Sequence, residues 1–270
     1  MGVGGGAVAH KIARYGWIRD LPDQRDHLYA APPAALLALP AHTDLRPTCP
    51  PVYDQGQIGS CTANAIAGAH EFDQMQQHLG GLSPFTPSRL FIYYNERVTE
   101  GTVNSDSGAQ IRDGIKSIAS LGVCREDPTW PYDGDPFPPN NLLTQKPSAS
   151  AYSEALEYVA VRYQRVGQVL NQMKGCLASG YPFVFGFTVY DSFETDVVAK
   201  TGVVPMPAAG EQVLGGHAVL AVGYDDGQQR FIVRNSWGIN WGMSGYCTMP
   251  YLYLSSASLA SDFWTIRVVK

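Results

Sequence analysis

The sequence predicts an α+β fold in which a mainly helical half precedes a mainly β half. Three observations predict it. From Thr62 to about Gly80 the residues Ala63, Ala65, Ile66, Ala67, Ala69, Phe72 and Met75 form an apolar stripe at helical spacing. Further along, helical spacing gives way to short apolar runs at Phe183 to Val189, His217 to Tyr224, Arg230 to Asn235 and Tyr246 to Met249, the pattern of strands. Between them lies a proline-rich passage, Pro128 to Pro147, and the 28 Gly and 19 Pro of the chain imply many turns and long connections.

In chain order, residues 1–43 read as an extended tail: a glycine-rich start, then Gly16-Trp17-Ile18-Arg19-Asp20-Leu21-Pro22-Asp23, then an Ala/Pro/Leu stretch. Pro22, Pro32, Pro33 and Pro40 break any long helix, so this segment is expected to become ordered only by lying on something. Residues 44–150 form the helical part, with helices predicted over Thr62 to Gly80, Ser88 to Thr99 and Gly108 to Leu121, the last closed by Gly122. Residues 151–270 form the β part, entered through a helix around Val166 to Ser179, with Asp225-Asp226-Gly227 as a hairpin turn.

Composition narrows the function. A 45% apolar fraction and 15 Tyr suit packed globular surfaces, and 270 residues suffice for one large or two small domains and a substantial core. The net charge of -5 carries no basic cluster beyond Lys11, Arg14 and Arg19, so no nucleic-acid partner is expected. No run approaches about 18 apolar residues, so no membrane span is expected. The opening Gly2 to Ala9 is not a secretory signal, which makes a cytoplasmic monomer the default expectation, with export by a leaderless route or a truncated leader as the alternative. Five cysteines, Cys49, Cys61, Cys124, Cys176 and Cys247, lack metal-ligand spacing; with one reactive thiol set aside, the other four permit two disulfides or none. No metal or organic cofactor is called for.

Cys61 is the candidate nucleophile. It follows Gly59-Ser60, which let the backbone turn sharply, and opens a helix, whose unpaired amides favour a thiolate. A base is needed within hydrogen-bond reach. His10, His27 and His42 lie in or beside the tail, and His70 is roughly 13 Å along the same helix, with His78 farther still. His217, between Gly216 and Ala218, remains. Asn235 can hold its imidazole in one tautomer, with Trp237 shielding that bond from water. Gln55, together with the Cys61 amide, can hold the oxyanion of a tetrahedral intermediate.

Set in this order, the residues resemble the papain-like cysteine peptidases. The likeness is carried by Asp44-Leu45-Arg46, Val52-Tyr53-Asp54-Gln55-Gly56, Gly59-Ser60-Cys61, Trp130-Pro131-Tyr132, Gly216-His217-Ala218-Val219, Val222-Gly223-Tyr224, Asn235-Ser236-Trp237-Gly238, Trp241-Gly242 and Gly245-Tyr246. It implies a two-lobed fold, a helical lobe and a β-barrel-like lobe, with Cys61 on one face of a cleft and His217 and Asn235 on the other. The family's disulfide cysteines are absent here: Ile58-Gly59-Ser60-Cys61-Thr62 lacks one and Asn104-Ser105-Asp106-Ser107-Gly108 the other. Thr62, where the family has Trp, is expected to reshape the primed side of the cleft.

The resemblance further implies that Gly108 offers its backbone to an extended substrate. A specificity pocket would be lined by Ala109, Gln110, Leu214, Gly215, Ala218 and Ser261, beside Gly216 and Trp237, and apolar or aromatic side chains would suit it. The expected function is therefore a cysteine endopeptidase or exopeptidase acting on peptide or protein substrates, with residues Tyr15 to Asp26 lying across the cleft as an inhibitory segment. A catalytically silent peptide-binding homologue, and an acyltransferase or deamidase on the same fold, are the alternatives.

Overall fold

The computed structural model describes residues 14–77, 83–135 and 142–270. His10, His78, the expected helix end near Gly80 and part of the proline-rich passage lie outside them. The helix expected from Thr62 is α2, Cys61–Gln77, and it occupies the centre of the molecule, with the helices at Arg89–Glu100 and Ile111–Ser120 on one side and strands of the sheet on the other. That placement explains why a single apolar stripe understates it: its residues are buried on all sides from Cys61 to Gln74, including Asn64, His70, Glu71 and Asp73. Small residues, Ala63, Ala65, Ala67 and Ala69, allow the close packing.

Helix α3, Arg89–Glu100, begins where Ser88 accepts a hydrogen bond from the Phe91 amide and ends at Gly101 in the left-handed region. The third predicted helix starts later than expected. Ala109–Gln110 are extended as β4, and α4 runs Ile111–Ser120.

The β part is an antiparallel run of β6 (Phe183–Tyr190), β7 (Val213–Asp225), β8 (Arg230–Arg234) and β9 (Tyr246–Pro250). It is extended on the β6 side by β10 (Ala260–Val269) and β5 (Ala160–Val166), two strands the sequence reading missed. The sheet is open rather than a closed barrel, since its path runs from β2 (Leu28–Tyr29) through β5, β10, β6, β7 and β8 to β9. The predicted helix around Val166 to Ser179 is α6, Leu170–Ala178, because Val166 still belongs to β5.

Residues 14–43 lie on this frame. β1, Trp17–Ile18, pairs in parallel with β4; β2, Leu28–Tyr29, pairs in parallel with β5; and β3, His42–Asp44, pairs antiparallel with β7. A short α1, Pro33–Leu37, starts on proline, which the first helical turn tolerates. Trp17 enters the apolar cluster around α2, while Tyr29 and Ala31 enter the one within the sheet.

Ordering each residue of such a segment costs about 1–2 kcal/mol, so polar anchors must add to this burial. Asp20 supplies one: its carboxylate accepts from the Arg112 amide (3.0 Å) and Trp264 Nε1 (2.9 Å), and its amide donates to Asp262 (2.8 Å). Asp26 supplies another, held by Arg112 at 2.6 Å and Arg165 at 3.0 Å. The Asp26 and Arg112 side chains are 3% and 6% exposed. Arg112→Ala is therefore expected to lower stability by about 3 kcal/mol, because it leaves a buried carboxylate short of its partner. Urea unfolding checks this; a loss below about 1 kcal/mol would mean the clasp adds little.

Candidate active site

The loop ahead of α2, the first turn of α2, β7 and the residue after β8 carry the four residues singled out for chemistry. Cys61 is the first residue of α2, and the amides of Ala218, Gly16 and Thr62 face its sulfur. His217 lies on β7, beside Ala218. Asn235 follows β8 directly, its amide donating to the Gly245 carbonyl at 2.9 Å. The Ser236 amide donates to Asn235 Oδ1 at 2.8 Å, which fixes which way the side-chain amide points. Asn235 Oδ1 also lies 2.8 Å from His217 Nε2, so that nitrogen carries the proton. His217 Nδ1 is then the basic nitrogen, and it is buried with no hydrogen-bond partner among the described atoms.

Gln55 is fully buried and held from three sides. Its amide donates to the Ser236 carbonyl (2.8 Å), its Oε1 accepts from Ser236 Oγ (2.6 Å), and its Nε2 donates to the Ile58 carbonyl (3.0 Å). Because Nε2 carries two hydrogens, one is left for a developing oxyanion. Ser236 was only part of a motif in the sequence; its role in aiming Gln55 required the fold. Trp237 lies 5.2 Å from the His217 ring and is 1% exposed, with Phe187 5.7 Å from the imidazole on another side.

This apolar enclosure governs the ionisation. Burial pushes the Cys61 thiol up to about 12, against the smaller pull of the Ala218, Gly16 and Thr62 amides. Burial also pushes His217 down to about 4, although Asn235 favours its cation. Both groups are thus neutral in this state.

The enclosure comes in part from the chain's own residues 15–18. Gly16 is packed so tightly on the loop ahead of Cys61 that a Cβ there would lie 1.7 Å from the Gly59 carbonyl oxygen. The Gly16 carbonyl accepts from the Ala109 amide at 2.7 Å. Tyr15 lies 6.1 Å from the His217 ring and against Gly215. The Trp17 indole is set between two glycines: a Cβ on Gly186 would be 1.9 Å from it, and one on Gly216 would be 2.7 Å from it.

The candidate substrate residues are placed as follows. Gly108 abuts the Gly16 carbonyl, Ala109 and Gln110 form the strand paired with β1, and Gln110 Oε1 accepts from the Leu21 amide at 3.1 Å. Ala218 and Ser261 are each opposite Gly186 in neighbouring strands. Leu214 is partly buried against the sheet cluster. Gly186 was not anticipated, because a glycine within an apolar run carries no chemical signal. Thr62 corrects an expectation: it is fully buried, with its hydroxyl donating to Glu96 on α3 at 2.8 Å.

All five cysteines are free thiols. Among the described residues no cluster of three or more His, Cys, Asp or Glu could hold a metal ion, and no helix is long and apolar enough to cross a membrane.

Comparison with known proteins agrees with this geometry. The family model described as papain family cysteine protease matches residues 39–261. A peptidase C1-like protein of Acanthamoeba polyphaga mimivirus is 43% identical over 94% of this chain and 87% of its own length. The crystal structure of xylellain, a cysteine protease from Xylella fastidiosa, superposes with a TM-score of 0.90 at 47% identity, over 97% of this chain and 98% of that one. Digestive procathepsin L 3 of Tenebrio molitor larval midgut has a TM-score of 0.67 at 21% identity, over 89% and 73%, and so shares the fold.

Cys61 is fully buried, so iodoacetamide reaches it only when residues 15–18 lift from the cleft. Alkylation of Cys61 in the folded full chain at neutral pH, followed by peptide mass spectrometry, should therefore be slower than alkylation of the same cysteine in the urea-unfolded chain. Equal rates in the folded and unfolded chain would mean an accessible thiol and contradict the enclosure.

Proposed function

From the premise that the chain belongs to the papain family of cysteine proteases, and is a hydrolase of peptide bonds, we propose that Cys61 is its nucleophile and that residues 15–26 hold it inactive. In the open cleft water reaches Cys61 and His217, removing the burial that keeps both neutral, and the proton passes from sulfur to His217 Nδ1. The thiolate attacks the scissile carbonyl. Gln55 Nε2 and the Cys61 amide hold the oxyanion, and His217, steadied by Asn235, gives its proton to the departing amine. Water then hydrolyses the thioester, with His217 as base. An extended substrate pairs with the backbone at Gly108 to Gln110, and the glycine-walled space that receives Trp17 takes one of its apolar or aromatic side chains.

The observation that carries the inhibitory part is the position of Gly16. Its amide faces the Cys61 sulfur, while its carbonyl is occupied by the Ala109 amide. The segment therefore meets the sulfur with a backbone amide, and the Gly16 carbonyl is engaged by Ala109 instead. Removing residues up to about Ala41 would also strip Trp17, Tyr29 and Ala31 from the two apolar clusters, which makes a point substitution the cleaner test.

Gly16→Ala in the full chain places a methyl group against the Gly59 carbonyl. Such overpacking costs about 1–3 kcal/mol, which shifts the segment toward release by roughly 5- to 160-fold. Turnover of fluorogenic peptides should rise accordingly, and Cys61→Ala on either background should abolish it with the fold intact. Equal rates for Gly16→Ala and the parent chain would remove the inhibitory reading, and activity retained without Cys61 would remove the nucleophile.

A further inference from the structure

Asp106 lies outside the four residues that carry the chemistry, yet its carboxylate reaches the loop that leads into the nucleophile. The Gly59 amide donates to both oxygens of Asp106, each at 3.0 Å. The Tyr93 hydroxyl donates to Asp106 Oδ1 at 2.6 Å and itself accepts from the Gly108 amide at 2.9 Å. One carboxylate and one phenol thus join three stretches of chain: the loop before Cys61, helix α3 through Tyr93, and the start of the edge that pairs with β1.

The loop needs such an anchor. It contains Gly56, at a φ of +65°, and Gly59, and it precedes the first residue of α2, so helical hydrogen bonding does not fix it. The same loop supplies the Ile58 carbonyl that accepts from Gln55 Nε2, and it leads directly to the Cys61 amide. Both oxyanion donors are therefore referred to a stretch whose Gly59 amide is held by Asp106. Through Tyr93, the same network also sets Gly108, where the peptide backbone pairs. The peptide register and the oxyanion donors are held in one frame by a charge-assisted bond.

We propose that Asp106 is a positioning residue for catalysis, holding the loop of Ile58, Gly59 and Ser60 so that Gln55 and the Cys61 amide meet the oxyanion of a substrate paired at Gly108. This rests on the reading of Cys61 and Gln55 given above. Misplacing a reacting group by about 1 Å costs up to 100-fold in rate, and that is the scale expected here.

The test uses the full chain carrying Gly16→Ala as parent, and compares peptide turnover with iodoacetamide alkylation of Cys61, a reaction that forms no oxyanion. Asp106→Ala should lower kcat by about 10- to 100-fold while alkylation changes less than about threefold. Asp106→Asn keeps an acceptor for the Gly59 amide and should recover turnover to within about fivefold of the parent. Tyr93→Phe, which frees the carboxylate without removing it, should show a smaller loss of the same kind, and it serves as the decisive variant if Asp106→Ala does not fold. Turnover unchanged in the folded variants would overturn the proposal. So would turnover and alkylation falling together with no recovery by Asp106→Asn, since that marks a merely structural role. A parent with no Cys61-dependent turnover would instead overturn the functional reading itself, and this proposal with it.

Discussion

The contact between the backbone at Gly16 and the Gly59 carbonyl is the constraint on which the described state of the site depends. Two main chains approach so closely there that neither a side chain nor a layer of water fits between them. The approach brings the Gly16 amide to the Cys61 sulfur and the Gly16 carbonyl to Ala109. It also sets the direction of Trp17 into the space beside Gly186 and Gly216. More distant anchors, Asp20 at Trp264 and Asp26 between Arg112 and Arg165, hold the segment at a distance from the chemistry, so at the nucleophile Gly16 brings only its backbone.

Electrostatics follows from that shape. A thiolate and an imidazolium gain from each other only if both can be charged, and enclosure by Trp237, Phe187 and Tyr15 works against both. Under the proposed function the same apolar walls serve a substrate that replaces the segment, because hydrogen bonds from Gln55 and the Cys61 amide act most strongly on an oxyanion where water is excluded. On this account, displacement of the segment restores charge to groups that are already in place, and no rearrangement of Asn235, Ser236 or Gln55 is required.

Much of the fold and of the site could be read from the sequence where a residue type has few physical alternatives. The helix expected from Ser88 to Thr99 is α3, Asp225-Asp226-Gly227 turns β7 into β8, and His217 remains once distance along α2 removes His70. What was missed depends on contacts distant in sequence. Strands of two residues such as β1 and β2 exist only through their partners, β4 and β5. β10 is interrupted by Asp262 at a φ of +61°, which breaks the alternation that would mark a strand, and β5 carries Arg162, Gln164 and Arg165 among its apolar residues. The burial of α2 on all sides could not be inferred from its own residues, because the partners of Asn64 and Thr62, Arg89 and Glu96, lie on α3. Asp106 gave no signal as a lone acid in a polar stretch. It links Gly59 to the same stretch in which the family resemblance placed a missing disulfide partner, so a carboxylate here joins segments that the resemblance left without their covalent bond.

Hydrogen exchange at the Ala109 amide, measured alongside the alkylation of Cys61 on the same sample, tests the covering of the cleft most directly. The Ala109 amide donates to the Gly16 carbonyl, so its protection reports the docked segment and nothing else at that position. The account predicts that conditions or substitutions which release the segment lose Ala109 protection and expose Cys61 to the reagent in the same proportion. An Ala109 amide that stays protected while Cys61 reacts as fast as a free thiol would contradict it.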